Sequence, residues 1–300
     1  MIGRSISVMI KNVLVRCYKS GHRFLTKRGI KIKILYILNR RIIRLLRSDF
    51  TELDGHKLYL DPKDSLRLST RGYHEPYIRE IMQQQVRAGD VVVDLGANIG
   101  NHTLLLAKLV GKTGRVYAFE PHPHNFALLK KNVEANGYTN VVVEQKAVSD
   151  RAAKIKLYLG RTDRTTQHSI IESNYVQEQY VEVETVKLDD YFKGKSVNFI
   201  KMDIEGAEHY AVLGMKRLLK NPRITLLTEF TPFYLQKIGI APEEHIRLLQ
   251  SMGFTLLNIN EQENTLEPFD VQQIPVYITE RFEGSINTNI LCYKGNKVLK

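Results

Sequence analysis

Two acids stand 26 positions apart in this sequence, Asp94 in VVVDLGANIG (91–100) and Glu120 in RVYAFE (115–120), and each closes an apolar run. Val91, Val92 and Val93 are β-branched and uniformly apolar, as a strand covered on both faces requires. Gly96 follows Asp94 at the turn, where backbone angles closed to other residues are needed, and Gly100 stands where the loop enters the helix Leu104 to Val110. An acid ending the first strand and another ending the second are spaced to seat a nucleoside, the second acid on the ribose diol.

A pyrophosphate ligand is disfavoured. The dinucleotide pattern G-x-G-x-x-G needs glycine at 96, 98 and 101, and the chain carries Asn98 and Asn101. The second glycine is the one that lets the backbone approach pyrophosphate closely. No Gly-Lys-Ser/Thr follows the strand, so a P-loop is excluded. A nucleoside without phosphates, carrying a cationic centre and an amino-acid tail, tolerates Asn98 and suits Asp94. S-adenosyl-L-methionine is such a ligand and is the expected cofactor.

Methyl transfer from a sulfonium is an in-line displacement with a donor already activated, so the protein must align the acceptor and remove its proton. An aliphatic hydroxyl is a poor nucleophile without a base or a metal ion. Asp203 ends the fourth core strand and is the first candidate for base or substrate anchor. Lys201, two residues back, faces the same side of the sheet. Glu229 ends the next strand in LLTEF. Asp203 with Glu229 could hold a divalent cation through oxygen ligands, but only two acids are visible and a metal is not favoured. Glu205 and Glu208 fall at a helix start, where acids suit the macrodipole as well as any chemistry. His122, His124, His168 and His209 are further acid/base candidates that the sequence does not rank.

The elements that position these residues alternate as in a parallel sheet. Strands are expected at Val91 to Asp94, Val116 to Glu120, Val141 to Val148, Asn198 to Asp203 and Ile224 to Glu229. Helices are expected at Tyr73 to Val86, Asn125 to Asn136, Ala207 to Lys220 and Pro242 to Met252. Phe254 to Ile259 and Asn289 to Tyr293 follow without a helical crossover and read as an antiparallel edge pair. The fold class is α/β, a doubly wound (Rossmann-like), mostly parallel seven-stranded sheet with an antiparallel C-terminal strand, plus a basic helical N-terminal segment. Residues 51 to 65 read as a small hairpin turning at Asp54-Gly55. Lys154 to Leu159 and Tyr180 to Val186 alternate polar and apolar residues, which predicts a hairpin inserted at about 151–187. Its polar connection, RTDRTTQHS at 161–169, is placed to shape a substrate site.

Charge divides the chain unequally. Residues 1–50 hold thirteen lysines and arginines against the single acid Asp49, whereas residues 51–300 hold thirty-one of each sign, so the net charge of +12 is N-terminal. Leu35, Leu38, Ile42 and Leu45 recur at helical spacing among Arg40, Arg41, Arg44 and Arg47, a basic amphipathic helix. Three readings fit it: an anionic membrane surface, nucleic acid, or its apolar stripe packed on the catalytic domain. The organisation expected is this segment at 1–50 and one domain at 51–300. No uncharged run approaches the ~20 residues of a membrane span, and the run Ile6 to Ile10 is too short for a cleavable signal. Cys17 and Cys292 form no pairing pattern, which points to a reducing compartment.

Three segments resemble the FkbM-type methyltransferases, a branch of the class I S-adenosylmethionine-dependent enzymes: GDVVVDLGANIGNHTLLLA at 89–107, VYAFEPHPHNFALLKKNV at 116–133 and FIKMDIEGAEHYAVLGM at 199–215. The run Asp203-Ile204-Glu205-Gly206-Ala207-Glu208 is the most specific of them. The resemblance covers about Tyr73 to Phe233, and more loosely Leu53 to the end. It implies that Asp94, Gly96, Asn98 and Gly100 surround the methionine half of the cofactor and that Glu120 holds the ribose. It also implies that Ala147 and Asp150 lie near the adenine, and that His102 occupies a position often held by histidine.

The expected activity is methylation of a hydroxyl on a saccharide, glycolipid or secondary metabolite, in the cytoplasm, with peripheral membrane contact through residues 1–50 as an option. Nucleic acid is the weaker partner: no Asn/Asp-Pro-Pro-aromatic motif follows the fourth strand and neither cysteine precedes proline. Ribose methylation of RNA stays open, with a steep salt dependence as its mark. So does a non-catalytic cofactor-binding scaffold.

Overall fold

The computed structural model describes residues 49–160, 168–171, 176–274 and 287–295. The basic amphipathic helix expected within residues 1–50 lies outside the described residues. The chain divides into two compact units, Met1–His74 and Glu75–Lys300. In the first, β1 (Phe50–Leu53) and β2 (His56–Tyr59) pair antiparallel, followed by the short helix α1 (Leu68–Arg71). Asp54 and Gly55 make the turn between the strands at φ 53° and 82°, the left-handed geometry that an Asp-Gly turn supplies.

The second unit runs α2 (Pro76–Gln85), β3 (Val91–Leu95), α3 (Asn101–Val110), β4 (Arg115–Phe119), α4 (Pro123–Ala135), β5 (Val141–Glu144) and β6 (Ala147–Val148). It continues with β7 (Lys154–Gly160), β8 (Val176–Val186), α5 (Leu188–Tyr191), β9 (Phe199–Met202), α6 (Glu208–Gly214) and β10 (Thr225–Phe230). Then come α7 (Pro232–Lys237), α8 (Pro242–Ser251), β11 (Thr255–Asn260), β12 (Thr265–Pro268) and β13 (Thr288–Tyr293). The main sheet has the order β12-β11-β13-β10-β9-β3-β4-β5. The five strands from β10 to β5 are parallel and share a carboxyl edge, while β13 joins β10 antiparallel.

Alternation along the strands divides the core between two faces. Val92, Phe199, Leu227 and Leu291 pack with Ile78, Met82 and Leu105 from α2 and α3. Val93, Ile200, Leu226 and Cys292 pack instead with Val212, Ile246 and Leu249 from α6 and α8. Burial on both faces is why these strands read as unbroken apolar runs. Cys292 is fully buried in β13, paired with Leu226 on one side and Leu256 on the other, and burial pushes its thiol pKa upward.

Three expectations need correction. The sheet has eight strands among the described residues, not seven. The extra one, β12, is short and largely exposed, so it carries no apolar pattern; it turns back on β11 through Asn260, whose Oδ1 accepts from the amides of Gln262 and Glu263. It also takes the sheet edge, so the antiparallel pair of β11 and β13 is interior. The third strand does not run unbroken from Val141 to Val148: β5 pairs β4 in the main sheet, and β6 leaves to pair β8. The expected inserted hairpin is present as β7 and β8, antiparallel, with β6 as a third strand beside them. Among the described residues no helix is long and apolar enough to cross a membrane.

Candidate active site at the carboxyl edge

β3 carries Asp94 to the sheet's carboxyl edge, fully buried. Thr103 of α3 donates its hydroxyl to Asp94 Oδ2 at 2.6 Å, and Asp94 Oδ1 is buried without a protein partner. Gly96 turns the chain at φ 76°; a Cβ there would lie 1.8 Å from the carbonyl oxygen of Asp203, so no side chain fits. Asn98 adopts φ 51° and its own Oδ1 accepts from the amide of Ile99, the local bond that makes asparagine tolerable in this region. The Asn98 amide donates to Glu120 Oε2 at 2.8 Å, and the His122 amide donates to Glu120 Oε1 at 2.9 Å. Glu120 thus ties the glycine loop to the end of β4 and keeps one accepting direction on each oxygen. Its burial pushes the pKa up to about 7 against the pull of those two amides. From α4, Asn132 donates to the carbonyl of Ile99 at 2.7 Å, and Leu129 packs under Gly100.

β9 lies beside β3 in register, setting Lys201 opposite Asp94. Lys201 is buried and donates to Asp203 Oδ2 at 3.1 Å. Burial alone would lower the lysine pKa, but Asp203, Asp94 and Glu75 together reverse that and hold it well above the ordinary value. Burial raises the pKa of Asp94, with Lys201 and Thr103 drawing it back. Asp203 is the open member of the group, its side chain 35% exposed against 5% for Lys201. After it the chain turns through Glu205 at φ 51° and Gly206 at φ 102°. Glu208 accepts from the amides of Ile204 and Gly206 through its two oxygens, so it clasps this turn at the start of α6. Glu229, near the end of β10, is buried; Asn287 donates to its Oε1, and its Oε2 has no protein partner. Burial raises Glu229 well above the carboxylate range, and Asp203, Glu205 and Glu208 raise it further. His102 sits in the first turn of α3, its Nε2 3.9 Å from Glu75 Oε2 at the head of α2.

The carboxyl edge therefore gathers Asp94, Gly96, Asn98, Gly100, Glu120, Lys201, Asp203 and Glu229, with His102 at its rim. Ala147 and Asp150 are not brought to that group by any contact among the described residues. Ala147 packs with Leu157 and Val183, and Asp150 pairs with Arg151 at 3.7 Å where the Ser149–Asp150 backbone meets Gly214 of α6. His209 faces the other way, its Nδ1 3.3 Å from Nδ1 of His245 in the core. His168, at the root of the inserted hairpin, stacks on His122 with ring centroids 3.9 Å apart. Next to it, Ser169 donates to the carbonyl of Glu205, joining the insertion to the turn after β9. Among the described residues no three His, Cys, Asp or Glu side chains form a metal-holding group. A cavity lined by Lys195, Val197, Arg217 and Asn221 precedes β9 and follows α6, so it opens at the opposite, amino edge.

Glu75, Thr103, Asn132 and Ser169 belong to this neighbourhood and were not legible as such. Each acts across a long sequence separation or from a helix whose face is set by packing; the only local sign was Glu75 before Pro76 at a helix start.

A family model described as "Methyltransferase FkbM domain" matches residues 94–256, more than half of the chain and the span that holds nearly all of this edge. The chain belongs to the FkbM methyltransferases. S-adenosylmethionine is the methyl donor of that domain, and the partnerless Oδ1 of Asp94 and the remaining acceptor directions of Glu120 fit a cationic nucleoside. Among its relatives, "Methyltransferase 1" of Beauveria bassiana is 28% identical over 144 residues, 41% of this FkbM chain and 57% of that protein. The chain thus spans little more than half of that relative's length. The 31-O-demethyl-FK506 methyltransferase FkbM of Streptomyces tacrolimicus is 26% identical over 220 residues, 63% of this chain and 81% of its own. The hexuronic acid methyltransferase AglP of Haloferax volcanii is 24% identical over 194 residues, 62% and 74% respectively.

Proposed function

We propose that this FkbM domain transfers the methyl group of S-adenosylmethionine to a hydroxyl of a saccharide, glycolipid or secondary metabolite, with Asp203 accepting the hydroxyl proton. The observation that carries this is the Asp94–Lys201–Asp203 group, in which two members are buried and Asp203 alone opens outward. Lys201 holds Asp203 in place through their 3.1 Å contact, the fixed position a general base needs. Asp94 and the glycine loop hold the donor, Glu120 its ribose, and Ala147 and Asp150 border the adenine side as the family resemblance implies. Glu229 and His102 flank the acceptor. Divalent cations are not required in this scheme, although Asp203 and Glu229 share one electrostatic neighbourhood. The acceptors named for the FkbM and AglP relatives, a macrolide hydroxyl and a hexuronic acid, support the class of acceptor.

Peripheral contact of the basic segment at 1–50 with an anionic membrane surface is compatible with a lipid-borne acceptor in this scheme. Methyl transfer from labelled cofactor into fractionated native extract tests the whole scheme. Label should appear in saccharide or glycolipid; label in RNA that weakens steeply with salt would replace it by ribose methylation. Asp94→Ala should abolish cofactor binding in calorimetry, whereas Asp203→Ala should retain binding and lose at least about a hundredfold in transfer. Full turnover by Asp203→Ala would remove the base from Asp203.

A further inference from the structure

The turn that follows Asp203 is held from the inserted hairpin as well as from its own helix. Glu205 adopts φ 51° without being glycine, a backbone state that persists only where its surroundings fix it. Glu208 accepts from the amides on either side, those of Ile204 and Gly206, at 3.0 and 2.9 Å. The carbonyl of Glu205 goes to Ser169, whose hydroxyl donates to it at 2.5 Å. The peptide unit between Glu205 and Gly206 is thereby bonded at both ends, its N–H by Glu208 and its C=O by Ser169.

Ser169 is itself fixed. It is fully buried, its N–H and C=O both pair with Tyr158 of β7, and its Oγ accepts from the Ile171 amide at 3.0 Å. Ile171 reaches the same turn, since a Cβ on Gly206 would lie 2.4 Å from its Cδ1. In the other direction His168, whose Nδ1 accepts from the Gly160 amide, stacks on His122, and the His122 amide donates to Glu120. Residues 168–171 therefore touch both the turn beyond Asp203 and the residue that holds Glu120.

We propose that Ser169 is a positioning residue for methyl transfer: through the Glu205 carbonyl it fixes the turn that aims Asp203 at the acceptor, and it leaves donor affinity as it is. The inference rests on the reading of Asp203 as the base. A base must stand within hydrogen-bond reach of the hydroxyl it deprotonates, and a misplacement of about 1 Å can cost on the order of a hundredfold in rate. The Asp203 side chain is held by Lys201 at 3.1 Å, and its main chain stands between the Gly96 loop and this turn. Freeing the Glu205 carbonyl lets Asp203 drift relative to the donor, while Thr103 keeps Asp94 and the Asn98 and His122 amides keep Glu120.

Full-length Ser169→Ala is compared with the parent protein for cofactor Kd by calorimetry, and for methyl transfer from labelled S-adenosylmethionine into one native extract at serial dilution. The maximal rate should fall about tenfold, with the cofactor Kd within about twofold and the half-saturating dilution unchanged. Ile171→Val shortens the contact with Gly206 and removes no hydrogen-bonding group; it should lose about threefold in the same maximal rate. Asp203→Ala is the control that separates the two readings. Adding Ser169→Ala to Asp203→Ala should cost no further rate, because a residue that acts through Asp203 then has nothing left to position. A further loss of about tenfold in the double variant, or a parallel loss of cofactor affinity, makes Ser169 merely structural and overturns the proposal. So does a full maximal rate in Ser169→Ala, or in Ile171→Val should Ser169→Ala not fold, and each of these outcomes leaves Asp203 as the base. Full turnover by Asp203→Ala, or no label from the parent protein, overturns the base reading and this inference together.

Discussion

Gly96 shows how narrowly this site is specified at the level of single residues. Its positive φ would cost any other residue about 1–3 kcal/mol, but the deciding fact is the Asp203 carbonyl, which a Cβ would meet at 1.8 Å. Gly111 has the same sign of φ, 64°, with open space around it, so it isolates the dihedral cost from the collision. Gly111→Ala should lower stability by about 1–3 kcal/mol, while Gly96→Ala should cost more than about 3 kcal/mol and abolish cofactor binding. Denaturant melts and calorimetry on both variants check this; equal losses would mean that the loop moves aside freely. Because the carbonyl belongs to Asp203, the donor loop and the proposed base are held at a fixed spacing by backbone, not by side chains.

At the scale of elements, α4 clamps the glycine loop. Asn132 is fully buried and donates to the carbonyl of Ile99. Asn132→Ala leaves that carbonyl unpaired, for an expected loss of about 1–3 kcal/mol and a several-fold weaker cofactor Kd, read by calorimetry; unchanged affinity would separate the helix from the loop. Asn132 also marks where reading the sequence stops. The strand ends were legible because β-branched runs announce buried parallel strands, and the acids closing them had to fall on one edge. Asp94, Glu120, Asp203 and Glu229 do all stand at or just beyond the ends of those strands. Asn132, Thr103 and Ser169 were not legible, since an asparagine in a helix looks alike whether it faces water or a carbonyl 33 positions away. The strand β12 was missed for the opposite reason: an edge strand with polar side chains has no apolar period to find. Ala147 and Asp150 rest on the resemblance alone, because the strand that carries Ala147, β6, pairs with β8 and not with the main sheet.

Over the whole molecule, buried titratable groups set opposing pH responses. Burial, with His209 adding to it, pushes the pKa of His245 down to about 3 from 6.5, and burial lowers His209 as well. Each binds a proton more readily unfolded than folded, so His245 removes stability as pH falls from 6.5 toward 3 and His209 acts with the same sign. The limit is about 1.4 kcal/mol per pH unit for each group. Glu120 and Glu208, raised to about 7, act the other way and remove stability as pH rises from 4.5 to 7. His245→Gln should therefore lose less Tm between pH 6.5 and 5 than the parent protein. Parallel curves would show that the histidine pair does not govern acid lability. A separate consequence follows from β13. Cys292 is sealed between two sheet strands with a thiol that resists ionisation, and alkylating reagents attack thiolates at accessible sulfur. In a Cys17→Ser background its labelling rate counts openings of the central sheet, giving the protein an internal clock for global unfolding that needs no added probe.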